Sequence, residues 1–247
     1  MCTVSFIARR RGYLLAMNRD ERLTRASGLP PKIISSSGRK VICPSEPGGG
    51  TWIAVNDAGV TYALINWYSV KGQINRNPGS RGQVVDCVNA QISSDAASEI
   101  LASLSLKQIN PFRLIGIFPT TREVFVWSWN LKCLVKKNHP WHTRQFISSG
   151  FDEPTAQRMR SITFGLALSQ RSAGTFGWLH RLHCSHSPTR GPFSTCMHRA
   201  DAATVSCTQI IVSLRDARLC YLAGAPCEGR KPPFHSLKLV ETIVCRS

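Results

Sequence analysis

The second residue of the chain can supply a nucleophile and a base within one amino acid. Cells usually remove an initiator Met when a small residue follows it, and Cys2 is small enough for Met1 to be removed. The mature chain would then begin with a thiol beside a free α-amine, whose pKa of ~7.7–8.0 lets it accept a proton near neutral pH. An amine that takes the proton of a neighbouring thiol activates it as a nucleophile. The alternative is a cysteine at position 2 with no chemical role.

The register of the first predicted hairpin, counted from its turn, places a charged segment next to Cys2. Two apolar stretches, 3–8 and 13–17, flank a turn at 9–12. A two-residue turn places Cys2 opposite Arg19, and a three-residue turn places it opposite Asp20, with strand partners ~5 Å apart. A guanidinium there would favour the thiolate, and Asp20 could hold the α-amine by a charge-assisted hydrogen bond. The alternative is an ordinary charged strand end with local salt bridges.

A third candidate residue follows the second predicted hairpin. Asn66 directly follows the apolar stretch 61–65, where a polar side-chain amide is unexpected. Its N–H could stabilise a developing oxyanion. The alternative is a turn asparagine that leads into Trp67, which we expect to contact a substrate.

Two later segments carry histidines. His180, His183 and His186 could surround a metal ion, but their spacing fits no standard site and Arg181 and Arg190 oppose a cation, so we expect no metal. The loop 191–199 could line a pocket, with His198 or Arg199 meeting an acidic group of a substrate. Its alternative is a plain surface connection.

The elements that must position these residues come in groups of strands separated by helices. Antiparallel hairpins with helices on their outer faces predict a layered α+β architecture in one domain, residues 1–247. Segment 32–47, rich in Ser, Pro and Gly, is predicted to be a loop, and 174–190 a long surface loop or a short helix. The predicted strands are 3–8, 13–17, 52–55, 60–67, 113–118, 123–129, 145–148, 205–212, 218–223 and 237–243, and the predicted helices are 80–92, 94–106 and 155–168.

Composition narrows the class of protein. The 247 residues carry a formal charge of +17 but no nucleic-acid-binding motif, so we expect no specific binding to nucleic acid. No apolar run approaches the ~20 residues that span a bilayer, and Arg9–Arg11 follow the first apolar stretch rather than precede it, which is the wrong order for export. We therefore expect a cytoplasmic protein whose ten cysteines, none in a C-x-x-C motif, are mostly reduced.

Four separated blocks of the sequence occur together in order. They are Met1-Cys2, Asn18-Arg19-Asp20-Glu21, Gly49-Gly50-Thr51-Trp52-Ile53-Ala54 with Asn56-Asp57-Ala58-Gly59, and Tyr221-Leu222-Ala223-Gly224-Ala225-Pro226-Cys227. These blocks resemble the NRDE family, the family of the transport and Golgi organisation protein 2. The likeness covers nearly the whole chain and is strongest before residue 90.

That family is similar in pattern to the N-terminal-nucleophile hydrolases that cleave linear amides, among them bile-salt hydrolases and penicillin V acylases. The resemblance implies a four-layer αββα sandwich of two antiparallel sheets. It matches Cys2 to the nucleophile, Arg19 to the arginine beside it, Asp20 to the aspartate that steadies the amine, and Asn66 to the oxyanion asparagine. Where the acylases have a further asparagine, 146–150 offers serines. Their late arginine has two candidates here, Arg160 and Arg199.

We therefore expect a hydrolase that cleaves a linear amide of a small acyl-type substrate through Cys2, without a cofactor. The competing hypothesis is a module that binds or transports a lipid, haem or acyl-CoA on the same fold and catalyses nothing. The sequence leaves the oligomeric state open.

Overall fold

The computed structural model describes residues 2–72, 74, 78–229 and 232–240, which form two antiparallel sheets and four α-helices. The strands in chain order are β1 (Cys2–Ala8), β2 (Tyr13–Arg22), β3 (Leu29–Ser36), β4 (Arg39–Ser45), β5 (Ile53–Asn56), β6 (Thr61–Asn66), β7 (Phe112–Phe118), β8 (Glu123–Trp129), β9 (Leu134–His139), β10 (Arg144–Ser148), β11 (Ala202–Val212), β12 (Asp216–Ala223) and β13 (Phe234–Lys238). The helices are α1 (Gly82–Val88), α2 (Ser94–Ser103), α3 (Glu153–Leu168) and α4 (Phe176–His183), and a 3₁₀ turn covers Leu106–Gln108.

The strands form two sheets that pack face to face. The first sheet runs β10-β1-β2-β11-β12-β13, and the second runs β3-β4-β5-β6-β7-β8-β9. Because β1 and β2 pair inside the first sheet, the N-terminal hairpin is held from both sides, by β10 and by β11. The start of the chain is therefore built into the middle of the fold.

The apolar residues divide into three layers of contact. Residues between the two sheets form the largest core, into which Val4 and Phe6 of β1 point. Helices α1 and α2 pack on the outer face of the second sheet, and α3 and α4 on the outer face of the first. Each fully buried large apolar side chain contributes ~1.5–3 kcal/mol. The molecule is thus the α+β sandwich with layers αββα that the sequence predicts.

The register of the first hairpin decides between the two turn lengths. Ala8 pairs with Tyr13 and Cys2 pairs with Arg19, as the two-residue turn predicts. The alternative partner, Asp20, lies one position further along β2. Side chains of directly paired residues share a face, so Cys2 and Arg19 point between the sheets.

The prediction of a loop over 32–47 is wrong, because most of this segment forms β3 and β4. β3 is an edge strand, is largely exposed, and pairs only with β4 through an irregular register near Leu29. An exposed edge strand needs few apolar residues, which is why its Ser and Pro content indicated a loop. β9 has the same character, with two lysines and no buried residue, and was not predicted at all.

Other boundaries differ by a few residues. Segment 174–190 contains a short helix, α4, as one of its two predictions allowed. The last strand ends at Lys238, earlier than predicted, and 241–243 lie outside the described residues. None of the helices in the described ranges combines the length and hydropathy needed to cross a bilayer.

Candidate active site

Three of the predicted site residues line one cavity. Cys2 from β1, Arg19 from β2 and Asn66 from the end of β6 surround a space of about 390 Å³ at one edge of the two sheets. Two of them come from paired strands of the first sheet, and the third comes from the facing strand of the second. The sandwich itself, rather than a loop, therefore brings the thiol, the guanidinium and the amide together.

The Cys2 thiol is held in its neutral form. The residue is only 5% exposed, and burial raises the pKa of its thiol, with Asp20 and Glu21 adding to the effect. Arg19 acts in the opposite direction, as the sequence predicts, but burial outweighs it. The backbone N–H of Cys2 donates to Oγ of Ser148 on β10, at 3.1 Å. A base is consequently required before this sulfur can attack a carbonyl.

Arg19 is fixed by three contacts. Its Nη2 lies 2.6 Å from Oε1 of Glu46 and 3.8 Å from the carboxylate of Glu21, and its guanidinium stacks 4.4 Å over the ring of Trp52. Only 3% of the residue is exposed. The guanidinium of Arg19, which the sequence predicts to stabilise the thiolate of Cys2, is therefore also paired with Glu46.

Asp20 lies on the opposite face of β2, toward α3. Its Oδ2 is 3.2 Å from Nη1 of Arg160, and its Oδ1 accepts a hydrogen bond from Oγ1 of Thr204 at 2.7 Å. Both members of the ion pair are completely buried. Asp20 thus stands one residue past the partner of Cys2 as a fixed negative charge, and Arg160 pairs with it rather than lining the cavity.

Asn66 lines the cavity and carries two side-chain N–H hydrogens. Its Nδ2 donates to Oη of Tyr68 at 2.7 Å, and an amide nitrogen has a second hydrogen to donate. Trp67 is half-buried, with its backbone N–H bonded to the carbonyl of Pro111, and it is not among the residues that line the Cys2 cavity.

The other predicted contacts lie elsewhere. Arg199 lines a neighbouring pocket of about 430 Å³ together with Asp20, and its guanidinium lies 4.5 Å from the ring of Phe151. His198 faces the ring of His186 rather than either pocket. The predicted histidine cluster is divided, because His183 is buried behind β1 and β2, whereas His186 lies beside His198.

Sequence reasoning missed several residues of this cavity. Ser148 was noted only as a serine in place of an asparagine, and Glu46 and Arg81 were not singled out. Burial lowers the pKa of Arg81, whose guanidinium approaches the carbonyl of Pro111 at 3.4 Å. The available signal was Glu46, two residues before the glycine-rich turn 48–50, where a loop has no local need for a charge.

The site combines a buried thiol, an amide donor and three arginines in one cavity. A nucleophile and an oxyanion donor on opposite sides of a space are the groups that acyl transfer requires.

Comparisons with known proteins identify the family and the fold. The family model described as Transport and Golgi organisation 2 matches residues 1–160. No curated protein matches the sequence.

Among solved structures, two variants of the conjugated bile acid hydrolase from Clostridium perfringens share the fold. One has a TM-score of 0.58 at 9% identity, covering 96% of this chain and 92% of that one, and the other has 0.55 at 11% identity, covering 97% and 92%. Penicillin V acylase from Agrobacterium tumefaciens has a TM-score of 0.53 at 9% identity, covering 90% of this chain and 83% of that one. At these identities the likeness establishes the fold.

Proposed function

Since the chain belongs to the Transport and Golgi organisation 2 family and folds like two amide hydrolases, we propose that it hydrolyses a linear amide through an acyl-enzyme on Cys2. The observation that carries the proposal is that Cys2, Arg19 and Asn66 line one cavity although they come from three strands of two sheets. Because the core between the sheets takes residues from β1 through Leu237 of β13, we further propose that residues 1–247 act as one domain.

The reaction begins with removal of Met1, which turns the nitrogen of Cys2 into a free amine. This amine takes the proton of the thiol, and the sulfur attacks the carbonyl carbon of the amide. The second N–H of Asn66 donates to the oxyanion that forms; a donor of this kind contributes ~3–4 kcal/mol to the transition state of acyl transfer. The ammonium then returns a proton to the leaving nitrogen, and the C–N bond breaks.

Water completes the cycle by attacking the thioester. The amine now takes a proton from water, the oxygen bonds to the acyl carbon, and the sulfur leaves and is reprotonated. Ser148, which already accepts a hydrogen bond from the nitrogen of Cys2, would orient the amine throughout. Asp20 supplies a buried negative charge that stabilises the ammonium form.

The cavity favours a small substrate with an anionic or strongly polar acyl part. Arg19, Arg25 and Arg81 line it against Glu21 and Glu46, so cations outnumber anions. Glu46 is engaged with both Arg19 and Arg25, at 2.6 and 2.8 Å. Arg81 is therefore the cation best placed to meet a substrate carboxylate.

The test is a screen of N-acyl amides with purified protein whose mass has been measured. We expect intact mass to show that Met1 is absent and wild type to release the free amine product. Cys2→Ala should abolish turnover, whereas Cys87→Ala, at an exposed cysteine, should leave it unchanged. An acyl adduct should be detected on Cys2 after rapid acid quenching.

Two results would contradict the proposal. Retention of Met1 in active protein would remove the amine that serves as base. Equal turnover by wild type and Cys2→Ala would remove the nucleophile. Tight binding of acyl-CoA or haem by both, with no turnover by either, would favour the binding module instead.

A further inference from the structure

Four side chains from three segments of the chain converge outside the Cys2 cavity. His186 follows α4, Cys196 and His198 lie in the loop before β11, and Cys227 follows β12. One ligand atom from each, two ring nitrogens and two sulfurs, lie within 4.8 Å of one another. Cys196 is buried and the other three are half-buried, so the group is closed but close to solvent.

The contacts of His198 cannot be explained by hydrogen bonding alone. Its Nε2 lies 3.2 Å from Nε2 of His186, 3.5 Å from Sγ of Cys196 and 3.5 Å from Sγ of Cys227. A neutral imidazole nitrogen carries either one proton or one lone pair, so it can serve one of these neighbours. Four ligand atoms at these separations instead form the corners of a tetrahedron, the arrangement that they would have around a bound metal ion.

The three separations from Nε2 of His198 match the edges of a tetrahedral zinc site. With Zn–N of about 2.0–2.1 Å and Zn–S of about 2.3 Å, the edges of the tetrahedron are about 3.3 Å between nitrogens and about 3.5 Å between nitrogen and sulfur. We propose that His186, Cys196, His198 and Cys227 bind one zinc ion as a structural Cys2His2 site. This inference is independent of the proposed amide hydrolysis.

Four protein ligands leave no open position, which is typical of a structural rather than a catalytic zinc ion. Two thiolates and two neutral imidazoles balance the charge of Zn²⁺, so the occupied site is neutral. Zinc at Nε2 of His198 leaves the ring proton on Nδ1, where the guanidinium of Arg190 now lies at 3.3 Å. The side chain of Arg190 is 57% exposed, so it can turn away toward Glu228, its partner at 3.1 Å, when zinc is bound.

The sequence predicts no metal here, because the spacing of His180, His183 and His186 fits no standard site and Arg181 and Arg190 oppose a cation. The structure selects only His186 from that group. Arg181 points to Ser172 on the helix side, at 2.9 Å, and Arg190 pairs with Glu228 at 3.1 Å. The remaining ligands come from segments whose proximity only the fold creates.

The site would fasten the loop that supports Asp20. Met197, between two of the proposed ligands, receives a hydrogen bond from the backbone N–H of Thr204 and donates its own N–H to Oγ1 of Thr204. The same Oγ1 donates to Asp20. A zinc ion at Cys196 and His198 therefore holds the support of Asp20 from both sides and joins it to the segment after β12.

The test is metal analysis of the full-length protein expressed without a histidine tag. We expect about one zinc ion per chain, reduced at least tenfold in Cys196→Ser and in His198→Ala. Cys87→Ser and His142→Ala, at exposed residues outside the group, should keep the zinc of wild type. If the first two variants do not fold, His186→Ala, at a half-buried ligand, replaces them.

Cobalt provides a measurement that needs no variant. Wild type stripped of metal and titrated with Co²⁺ should develop the visible bands of tetrahedral cobalt and a thiolate charge-transfer band, with saturation near one equivalent. Protein that carries no zinc and gives no such bands would overturn the proposal. So would a disulfide between Cys196 and Cys227 in protein alkylated during lysis, because it consumes two of the four ligands.

Discussion

The ion pair between Asp20 and Arg160 is the most deeply buried pair of charges in the described residues, since neither side chain has any exposed surface. Arg160 also donates to Oγ1 of Thr3 and to the carbonyl of Pro192, at 2.6 and 3.2 Å. Removing one partner of such a pair leaves an uncompensated buried charge, at a cost of ~3–5 kcal/mol. We expect Arg160→Met to lower the free energy of unfolding by that amount, measured by urea denaturation.

Arg199→Met is the matched control. Arg199 lies 2.8 Å from Asp201, whose side chain is 62% exposed, and a pair of this kind contributes ~0–1 kcal/mol. If both variants lose the same stability, Asp20 is not dependent on Arg160, and its place in the site needs another explanation.

His183 makes the stability of the protein depend on pH. Its Nδ1 lies 3.0 Å from Oδ1 of Asn18 and its Nε2 lies 2.8 Å from Oγ of Ser5, so the neutral ring, with the proton on Nδ1, satisfies both partners. Burial lowers the pKa of His183 to about 3, and His180 and Arg160 add to that effect by repelling the cation. The folded protein therefore excludes a proton that the unfolded chain accepts.

The sign follows from proton linkage. Between pH 6.5, where an unfolded histidine titrates, and about 3, the unfolded state binds one more proton, so stability falls as pH falls. This histidine contributes a slope of ~1.4 kcal/mol per pH unit below its unfolded pKa. His183→Gln cannot titrate, so its free energy of unfolding, measured from pH 4 to 6, should lack that slope. Parallel curves for the two proteins would contradict the prediction.

At the scale of elements, the turn between β1 and β2 fixes the partner of Cys2. Gly12 has φ of +79°, and a Cβ there would lie 1.9 Å from the carbonyl oxygen of Val212. Gly38, in the turn between β3 and β4, has φ of +76° but open space around it. Both positions carry the ~1–2 kcal/mol penalty of a left-handed conformation, but only Gly12 adds a clash with backbone.

We therefore expect Gly12→Ala to destabilise the protein by several kcal/mol, and Gly38→Ala by only ~1–2 kcal/mol, in urea unfolding. Gly12→Ala should also impair turnover, because a shift of the hairpin moves Cys2 away from Arg19. Equal losses in stability for the two variants would show that the hairpin accommodates the Cβ without moving.

The hairpins and helices that the sequence predicts correctly are those whose apolar residues face a core. β1 and β2 alternate between the inner core and the helix layer, and this alternation predicted the hairpin itself. The length of its turn left Arg19 and Asp20 as alternative partners of Cys2, and the structure selects Arg19. β3 and β9 contribute little to any core, so no periodicity marked them. Edge strands owe their structure to the neighbour they pair with, which a local pattern does not contain.

The same distinction applies to the site. Cys2, Arg19 and Asn66 could be predicted because each is unusual in its local sequence. Cys2 is a thiol at the start of the chain, Arg19 is a charge in a strand, and Asn66 is an amide after an apolar run. Glu46 is an ordinary charged residue of a loop sequence, and its role follows only from its 2.6 Å contact with Arg19 across the two sheets. Cys227 likewise meets His198 only because β12 returns beside β11.

At the scale of the molecule, the excess of positive charge has consequences that no single site explains. The chain carries 31 basic and 14 acidic residues. Several of the acids, among them Asp20, Glu46 and Asp57, are engaged by arginines inside or near the core. They neutralise buried arginines rather than the surface, so the outer field of the protein is strongly positive.

That field should bind nucleic acid without reading its sequence. We expect two unrelated DNA duplexes of equal length to bind with dissociation constants within about twofold of each other at low salt, in fluorescence anisotropy. The logarithm of the binding constant should fall linearly with the logarithm of salt concentration, because binding releases counterions from the phosphates. Charge alone supplies attraction but no donor pattern that distinguishes one base edge from another. The described residues form an αββα sandwich with its helices packed against the two sheets. A sequence preference that persisted at high salt would contradict this and would require a specific nucleic-acid surface on the molecule.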